Sequence, residues 1–347
     1  MPIYATAAIR QLEQLANEQY HLTPHVLMQR AGQAALHYLL ERFKECKRIA
    51  IFCGGGNNGG DGYTLAYLAA QYPLQVTLWQ VGNPENLSPA AAAALAQCVS
   101  HHIPCQVWQE GAELGQADLL VDAIGGIGFS TVLRPNLVTV IHALQQHGAP
   151  ILALDLPTGI AADTGVVLGT AIKATATITF IAPKLGLVTG SGPAYTGEWV
   201  VNDLQLPADL FTQVSPLANT LAPALATVFA PRARDAYKSN FGHVLIIGGD
   251  KGMSGAAYLA ASAALRVGAG AVSIATHPEH AAGLTVTCPE IMCHGVNNPQ
   301  DLAPLLTKAT VIVFGPGIGQ SPWALHLWQH VSQQTLPLVV DADGLNL

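Results

Sequence analysis

Short uninterrupted runs of Val, Ile and Leu recur along this chain, separated by segments whose apolar positions fall at helical spacing. The runs Arg48–Cys53, Gln75–Val81, Leu119–Ile124, Ile151–Leu156 and Thr175–Ile181 read as strands buried on both faces. Such strands alternating with helices predict a mostly parallel sheet covered on both sides. Ahead of them, residues 5–44 carry Leu12, Leu15, Leu27, Met28, Ala31, Leu36, Leu39 and Leu40 at helical spacing, with Pro24 as a break between two helices. From Leu206 to about Ala226 prolines accumulate and the periodicity fades, as in a linker. A second series then begins, with strands at His243–Ile247, Ala271–Ala275, Thr310–Phe314 and Pro337–Val340 and a helix at Ala256–Arg266. No fixed-period repeat relates the halves, so two α/β units in tandem are predicted rather than a solenoid. Four strands make a thin second sheet, and the ending VVDADGLNL just after a strand is expected to mark a C-terminal truncation.

Composition narrows the classes of function. Half of the 347 residues are hydrophobic and 11% are charged, which excludes a disordered chain. With 15 Lys+Arg against 22 Asp+Glu and no basic run, neither a polynucleotide nor an anionic membrane is an expected partner. The six cysteines form no CxxC pair and read as reduced thiols. The first residues, MPIYATAAIR, lack a basic segment followed by an apolar one, and no apolar stretch is long enough to span a bilayer. A cytoplasmic protein is expected.

Candidate chemistry sits at the C-terminal ends of the first-unit strands, where ligands bind in open α/β sheets. The strand Arg48–Cys53 runs into GGGNNGGDG, Gly54–Gly62, and then into a helix expected over Tyr63–Ala70. Bare amides and a helix N-terminus there would make a cradle for an anion. Gly54, Gly56 and Gly59 satisfy GxGxxG, but Gln80 stands where a dinucleotide-binding Rossmann unit would carry its ribose-binding acid, and no Lys-Ser/Thr follows to make a P-loop. The strand ends VDAIGGIGFS and ALDLPTG add Asp122, Asp155 and Thr158. Any one aspartate here could be a simple cap or turn former. Three in successive crevice segments point to a site.

The motifs CGGGNNGGDGYTLA, VDAIGGIGFS and LALDLPTGIAADTG, in this order, closely resemble the epimerase domain of the bifunctional NAD(P)H-hydrate repair enzymes, over roughly residues 5–205. The resemblance implies a Rossmann-like domain that interconverts the R and S forms of NADHX and NADPHX, reduced cofactors hydrated at C6 of the nicotinamide ring. Carried over by motif position, the substrate contacts are Asn57, Asn58, Gly59, Gly60 and Asp61 in one loop, Gly126, Ile127, Gly128, Phe129, Ser130, Thr131 and Val132 in a second, and Asp155. A potassium ion is implied on Asn58, Asp122 and Thr158, an oxygen-only set that suits a hard cation. Thr158 stands where the family more often has Ser, and Gly125-Gly126 where a Phe-Gly pair is common. C6 is a carbinolamine carbon, inverted by losing and regaining water or by ring opening, and Asp155 is the expected acid/base.

The second half, through Arg234–Thr276, VIVFGPGIG and VVDADGLNL, resembles the ADP- or ATP-dependent NAD(P)H-hydrate dehydratase domain, which implies a ribokinase-like fold and hydrate contacts at Ala256 and Gly317. The family's His-Pro-Gly-Glu and Gly-Thr-Gly-Asp segments are absent from these residues, so dehydration is expected to be weak here and both activities are expected of a longer chain. The expected layout is an epimerase domain over residues 1–212, a linker over 213–226 and the first part of a dehydratase domain over 227–347, each of three layers. A homo-oligomer is left open. Two rivals remain at this stage, a nucleotide-dependent small-molecule kinase and a non-catalytic nucleotide-binding module.

Overall fold

The computed structural model describes residues 1–83, 86–129, 131–221 and 232–347. Contacts divide the chain into two compact units, Met1–Ala226 and Thr227–Leu347. No helix among the described residues is long and apolar enough to cross a membrane.

In the first unit the strands are β1 (Pro2–Ile3), β2 (Arg48–Cys53), β3 (Gln75–Gln80), β4 (Cys105–Val107), β5 (Leu119–Ala123), β6 (Ile151–Leu154), β7 (Ala176–Phe180), β8 (Glu198–Asn202) and β9 (Ala218–Asn219). Seven of them form one sheet in the order β4-β3-β2-β5-β6-β7-β8. All neighbours in it are parallel. The chain moves outward from β2 through β3 to β4, then returns to β5 on the other side of β2. Loops leaving β2 and β5 therefore diverge, and the crevice between them is where an α/β sheet binds its ligand.

Alternation along the strands builds the three layers. Ile49, Ile51, Cys53, Leu119, Val121, Leu152 and Leu154 face one side, packing with α1 (Thr6–Tyr20), α2 (Pro24–Arg42), α3 (Asn57–Ala69) and α4 (Pro89–Ser100). Ala50, Phe52, Leu120, Ile151 and Ala153 face the other, against Val140, Ile141 and Leu144 of α5 (Pro135–His147). Pro24 opens α2 rather than merely interrupting it. It stands in the first turn, where a missing N–H costs nothing, and the Thr23 hydroxyl accepts from Val26 N at 3.3 Å. Within the stretch read as a linker, Ala218–Asn219 pairs antiparallel with β1; residues 222–226 of that stretch lie outside the described residues.

The second unit corrects the expected strand count. Its sheet has five parallel strands, β10 (His243–Ile247), β11 (Ala271–Thr276), β12 (Met292–Gly295), β13 (Val311–Phe314) and β14 (Leu338–Val340), in the order β12-β11-β10-β13-β14. The missed β12, like β4 and β8, is an edge strand, and a strand with one open flank needs no continuous apolar run.

Asp163 has a structural task. No side chain of Ala5, the N-cap residue of α1, can cap that helix. Instead Asp163 Oδ1 accepts from Thr6 N at 2.6 Å and from Thr6 Oγ1 at 2.9 Å. Removing a cap costs about 1 kcal/mol, so Asp163→Ala should lower the unfolding free energy by that much, read as a lower urea midpoint with an unchanged slope of the transition.

Candidate active site

The glycine-rich segment is shorter as a loop than the sequence pattern predicts. Gly54–Gly56 make the turn after β2, and α3 already begins at Asn57, so Asn57, Asn58 and Asp61 stand on its first two turns. Much of the glycine content serves packing. A Cβ at Gly54 would collide with the Ile124 carbonyl, one at Gly59 with the Gly54 carbonyl, and one at Gly60 with the Met28 side chain. These absences let α3 start directly on the crevice. Gly56 differs, because a Cβ there would meet nothing within 4 Å. Its bare, exposed backbone is the part of the segment open to a ligand.

Three sequence-predicted oxygen donors converge at the ends of β5 and β6. Asp122 is fully buried, and its carboxylate accepts from Thr158 Oγ1 at 2.6 Å, Thr158 N at 2.7 Å and Ile124 N at 3.2 Å. Burial pushes the Asp122 carboxyl up to about 6, and the Thr158 bonds pull the other way. No cationic side chain pairs with it among the described residues. Asn58 reaches the same strand ends, its Nδ2 donating to the Leu154 carbonyl at 3.1 Å. Its Oδ1 is buried with no hydrogen-bond partner. A buried amide oxygen left unpaired is costly, and a cation beside it would remove that cost.

Asp155 stands at the mouth of the crevice, 8% exposed, with a left-handed backbone (φ 68°) that aspartate tolerates better than most residues. Its Oδ1 is held by Lys184 Nζ, by Thr179 Oγ1 at 3.2 Å and by Phe180 N at 3.5 Å. Lys184 is 1% exposed, and its other two protons go to Thr179 Oγ1 at 3.0 Å and the Phe180 carbonyl at 2.7 Å. All three donors of the ammonium are thus used. The turn that presents this carbonyl runs through Ile181, a β-branched residue at φ 68°, whose side chain is buried in the core. Asp155 Oδ2 takes no donor among the described residues and lies beside Gly126, 2.7 Å from where a Cβ would be.

A cleft of about 1590 Å³ joins these parts. It is lined by Gly54–Asn58, Asp61, Asp155 and Lys184, and by Gly126, Ile127, Gly128, Phe129, Thr131 and Val132 of the second loop. Ser130 lies outside the described residues. Gly59 and Gly60 are buried in α3 packing instead. Phe129 places its ring against Gly125, filling the space a side chain there would need. α1 adds Glu13 and Arg10 to the lining. Burial, then the charges of Asp155 and Glu13, hold the Asp61 carboxyl well above the usual carboxylate range, with Lys184 opposing. Lys184, Thr179 and Glu13 were not found from the sequence. The available signal was Lys184 itself, a lone charge in the apolar segment IAPKLGLV.

In the second unit, Ala256 and Gly317 also meet. Ala256 lies in the first turn of the helix Ser254–Arg266, and Gly317, at φ 61°, would carry a Cβ 3.0 Å from the Ala256 Cβ. The Asp250 carboxylate ties the two loops together, accepting from Ser321 Oγ at 2.5 Å, while Asp250 N donates to the Gly317 carbonyl at 2.8 Å.

Residues 24–186 match the family described as YjeF-related protein N-terminus, and residues 244–347 that described as NAD(P)H-hydrate dehydratase. The bifunctional NAD(P)H-hydrate repair enzyme of Coxiella burnetii is 46% identical over 99% of this chain and 70% of its own length. The chain belongs to the bifunctional NAD(P)H-hydrate repair enzyme family. The Escherichia coli member is 37% identical over 98% of this chain and 65% of its own length, so the chain spans about two thirds of these relatives. An NAD(P)H-hydrate epimerase of Legionella pneumophila (strain Corby) is 37% identical over 67% of this chain and 88% of its own. The crystal structure of yeast ynu0 superposes with a TM-score of 0.54 and 20% identity, covering 64% of this chain and 98% of that one, and shares the fold.

The two kinds of glycine should separate on substitution. Gly59→Ala is expected to lower the melting temperature by several degrees, because backbone must move. Gly56→Ala should melt within about a degree of the parent yet bind a mixture of NADH hydrates at least tenfold more weakly by calorimetry.

Proposed function

We propose that the first unit epimerises R- and S-NADHX and NADPHX at C6, with Asp155 as the group that moves the proton. The observation that carries this reading is the split environment of Asp155. One carboxylate oxygen is fixed by Lys184 and Thr179, while the other, which takes no donor among the described residues, lies beside Gly126 in a cleft edged by both glycine-rich loops. A fixed carboxylate with one open oxygen can take a proton from water attacking C6. Asn57, Asn58 and Asp61 from α3, and the loop Gly126–Val132 including Ser130, contact the substrate in this reading. Gly59 and Gly60 shape the same segment through packing. The exposed amides around Gly56 face the pyrophosphate.

Asn58, Asp122 and Thr158 would hold a potassium ion. The unpaired Asn58 Oδ1 and the buried Asp122 without a cationic partner fit such an ion, and every donor is an oxygen. When bound, it supplies a positive charge that offsets the buried carboxylate and ties the loops after β2, β5 and β6 together. The second unit, by its family, is read as dehydratase sequence that uses ADP or ATP and contacts the hydrate at Ala256 and Gly317. The substrates are small molecules, with no part for nucleic acid or membrane; a cytoplasmic setting fits this chemistry.

Purified chain incubated with R-NADHX and followed by chiral chromatography should give the R/S mixture well above the spontaneous rate without nucleotide. Asp155→Asn should bind the hydrate with its affinity retained within about threefold and lose at least 100-fold in rate. Full residual activity would remove Asp155 from the mechanism.

Potassium at 100 mM, compared with choline, should raise the melting temperature by a few degrees through preferential binding to the folded state. Asp122→Asn should abolish that difference.

A further inference from the structure

The cleft contains a second carboxyl whose surroundings are the opposite of those of Asp155. Asp61 is placed by α3, one turn beyond Asn58, and Asn58 is itself bonded to the carbonyl of Leu154, the residue before Asp155. The helix thus sets Asp61 into the lining of the same cleft as Asp155. Asp155 has a buried ammonium, a hydroxyl and an amide all donating to one oxygen. Asp61 has no hydrogen bond or ion pair to any described residue, and Lys184 has spent all three protons elsewhere. The charged and titratable groups that face Asp61 are Asp155 from β6, Glu13 from α1, Lys184 from the turn after β7 and the buried Cys53 thiol of β2, with Arg10 next to Glu13 on α1. Two carboxyls face it and one already paired cation.

We propose that Asp61 is the proton donor of the epimerisation and Lys184 the positioning residue that keeps Asp155 as its basic counterpart. This rests on the epimerase reading of the first unit. Inversion at C6 needs an acid when the hydroxyl leaves and a base when water returns from the other side, and carboxyls carried by different elements can serve the two events. In the first, the C6–O bond breaks, its electron pair takes the Asp61 proton, water departs, and the N1 lone pair forms N1=C6. In the second, water adds to C6, its proton passes to Asp155, and the π pair returns to N1. The sum moves one proton from Asp61 to Asp155, and exchange with solvent restores it. Desolvation in the cleft, then the neighbouring carboxyls of Asp155 and Glu13, raise the Asp61 carboxyl well above the usual carboxylate range, which favours the protonated form a donor requires. Activity must then fall at high pH, as Asp61 loses its proton.

The test is the pH dependence of R-NADHX epimerisation by the whole chain. Wild type should show a kcat that falls at high pH. Asp61→Asn should lose about 100-fold or more in kcat with KM within threefold, and its profile should have no alkaline limb. Asp61→Glu, which keeps a carboxyl, should recover part of the rate and retain the limb, and it serves if the Asn variant does not fold. Lys184→Gln, which releases the Asp155 oxygen that Lys184 holds, should lower kcat at least tenfold with KM within threefold while the alkaline limb stays in place, a split that a general structural loss would not give. A wild type without turnover overturns this inference together with the epimerase reading. A wild type that turns over, with Asp61→Asn keeping more than half its kcat or keeping the alkaline limb, overturns the inference alone.

Discussion

At the end of β2 the chain folds back so tightly that the start of α3 rests on the carbonyl of Gly54, and Gly54 in turn rests on the carbonyl of Ile124 after β5. Backbone meets backbone at both places, and no side chain could stand between them. That double contact fixes where the first turn of α3 lies relative to the ends of β5 and β6. Asn58 can then reach Leu154, the turn of Gly54–Gly56 opens into the crevice, and Asp61 joins Asp155 in the cleft lining. The parallel sheet supplies the crevice through its change of direction at β2 and β5, but the glycines bring a helix terminus into it.

Placing a lysine and an aspartate at 1% and 8% exposure would be costly if either were left alone. The arrangement avoids this by using every proton of Lys184 and every acceptor position of one Asp155 oxygen that the fold can serve. The free oxygen then has little freedom of its own. Precision of this kind comes from fixed neighbours rather than from the reacting group. Asp122 follows the same logic in an incomplete form, since backbone and hydroxyl donors satisfy it geometrically while its charge has no cationic partner among the described residues.

The sequence pattern located the interior strands of both sheets because a strand covered on two faces leaves a continuous apolar run, as in Arg48–Cys53 and His243–Ile247, whose ends agree with the structure. Edge strands such as Cys105–Val107 and Met292–Gly295 left no such run. The chemistry at strand ends, Asp122, Asp155 and Thr158, was legible because carboxylates and hydroxyls break apolar runs at predictable places. The start of α3 was misjudged because glycine and asparagine weigh against a helix, and here packing overrides their preference. Lys184 was not legible. Its meaning depends on the fold bringing the end of β7 beside the end of β6, a contact between residues 29 apart that no local spacing encodes.

Ile181 carries the cost of this precision in its backbone. A β-branched residue in the left-handed region is strained by roughly 1–3 kcal/mol, and burying its side chain recovers a similar amount. The strained turn keeps the Phe180 carbonyl aimed at Lys184, two contacts removed from any substrate. This is a place where a more relaxed sequence could melt later and work worse. Selection for stability alone would be expected to erase the strain first at position 181, so its presence marks how far the needs of the site extend into the core.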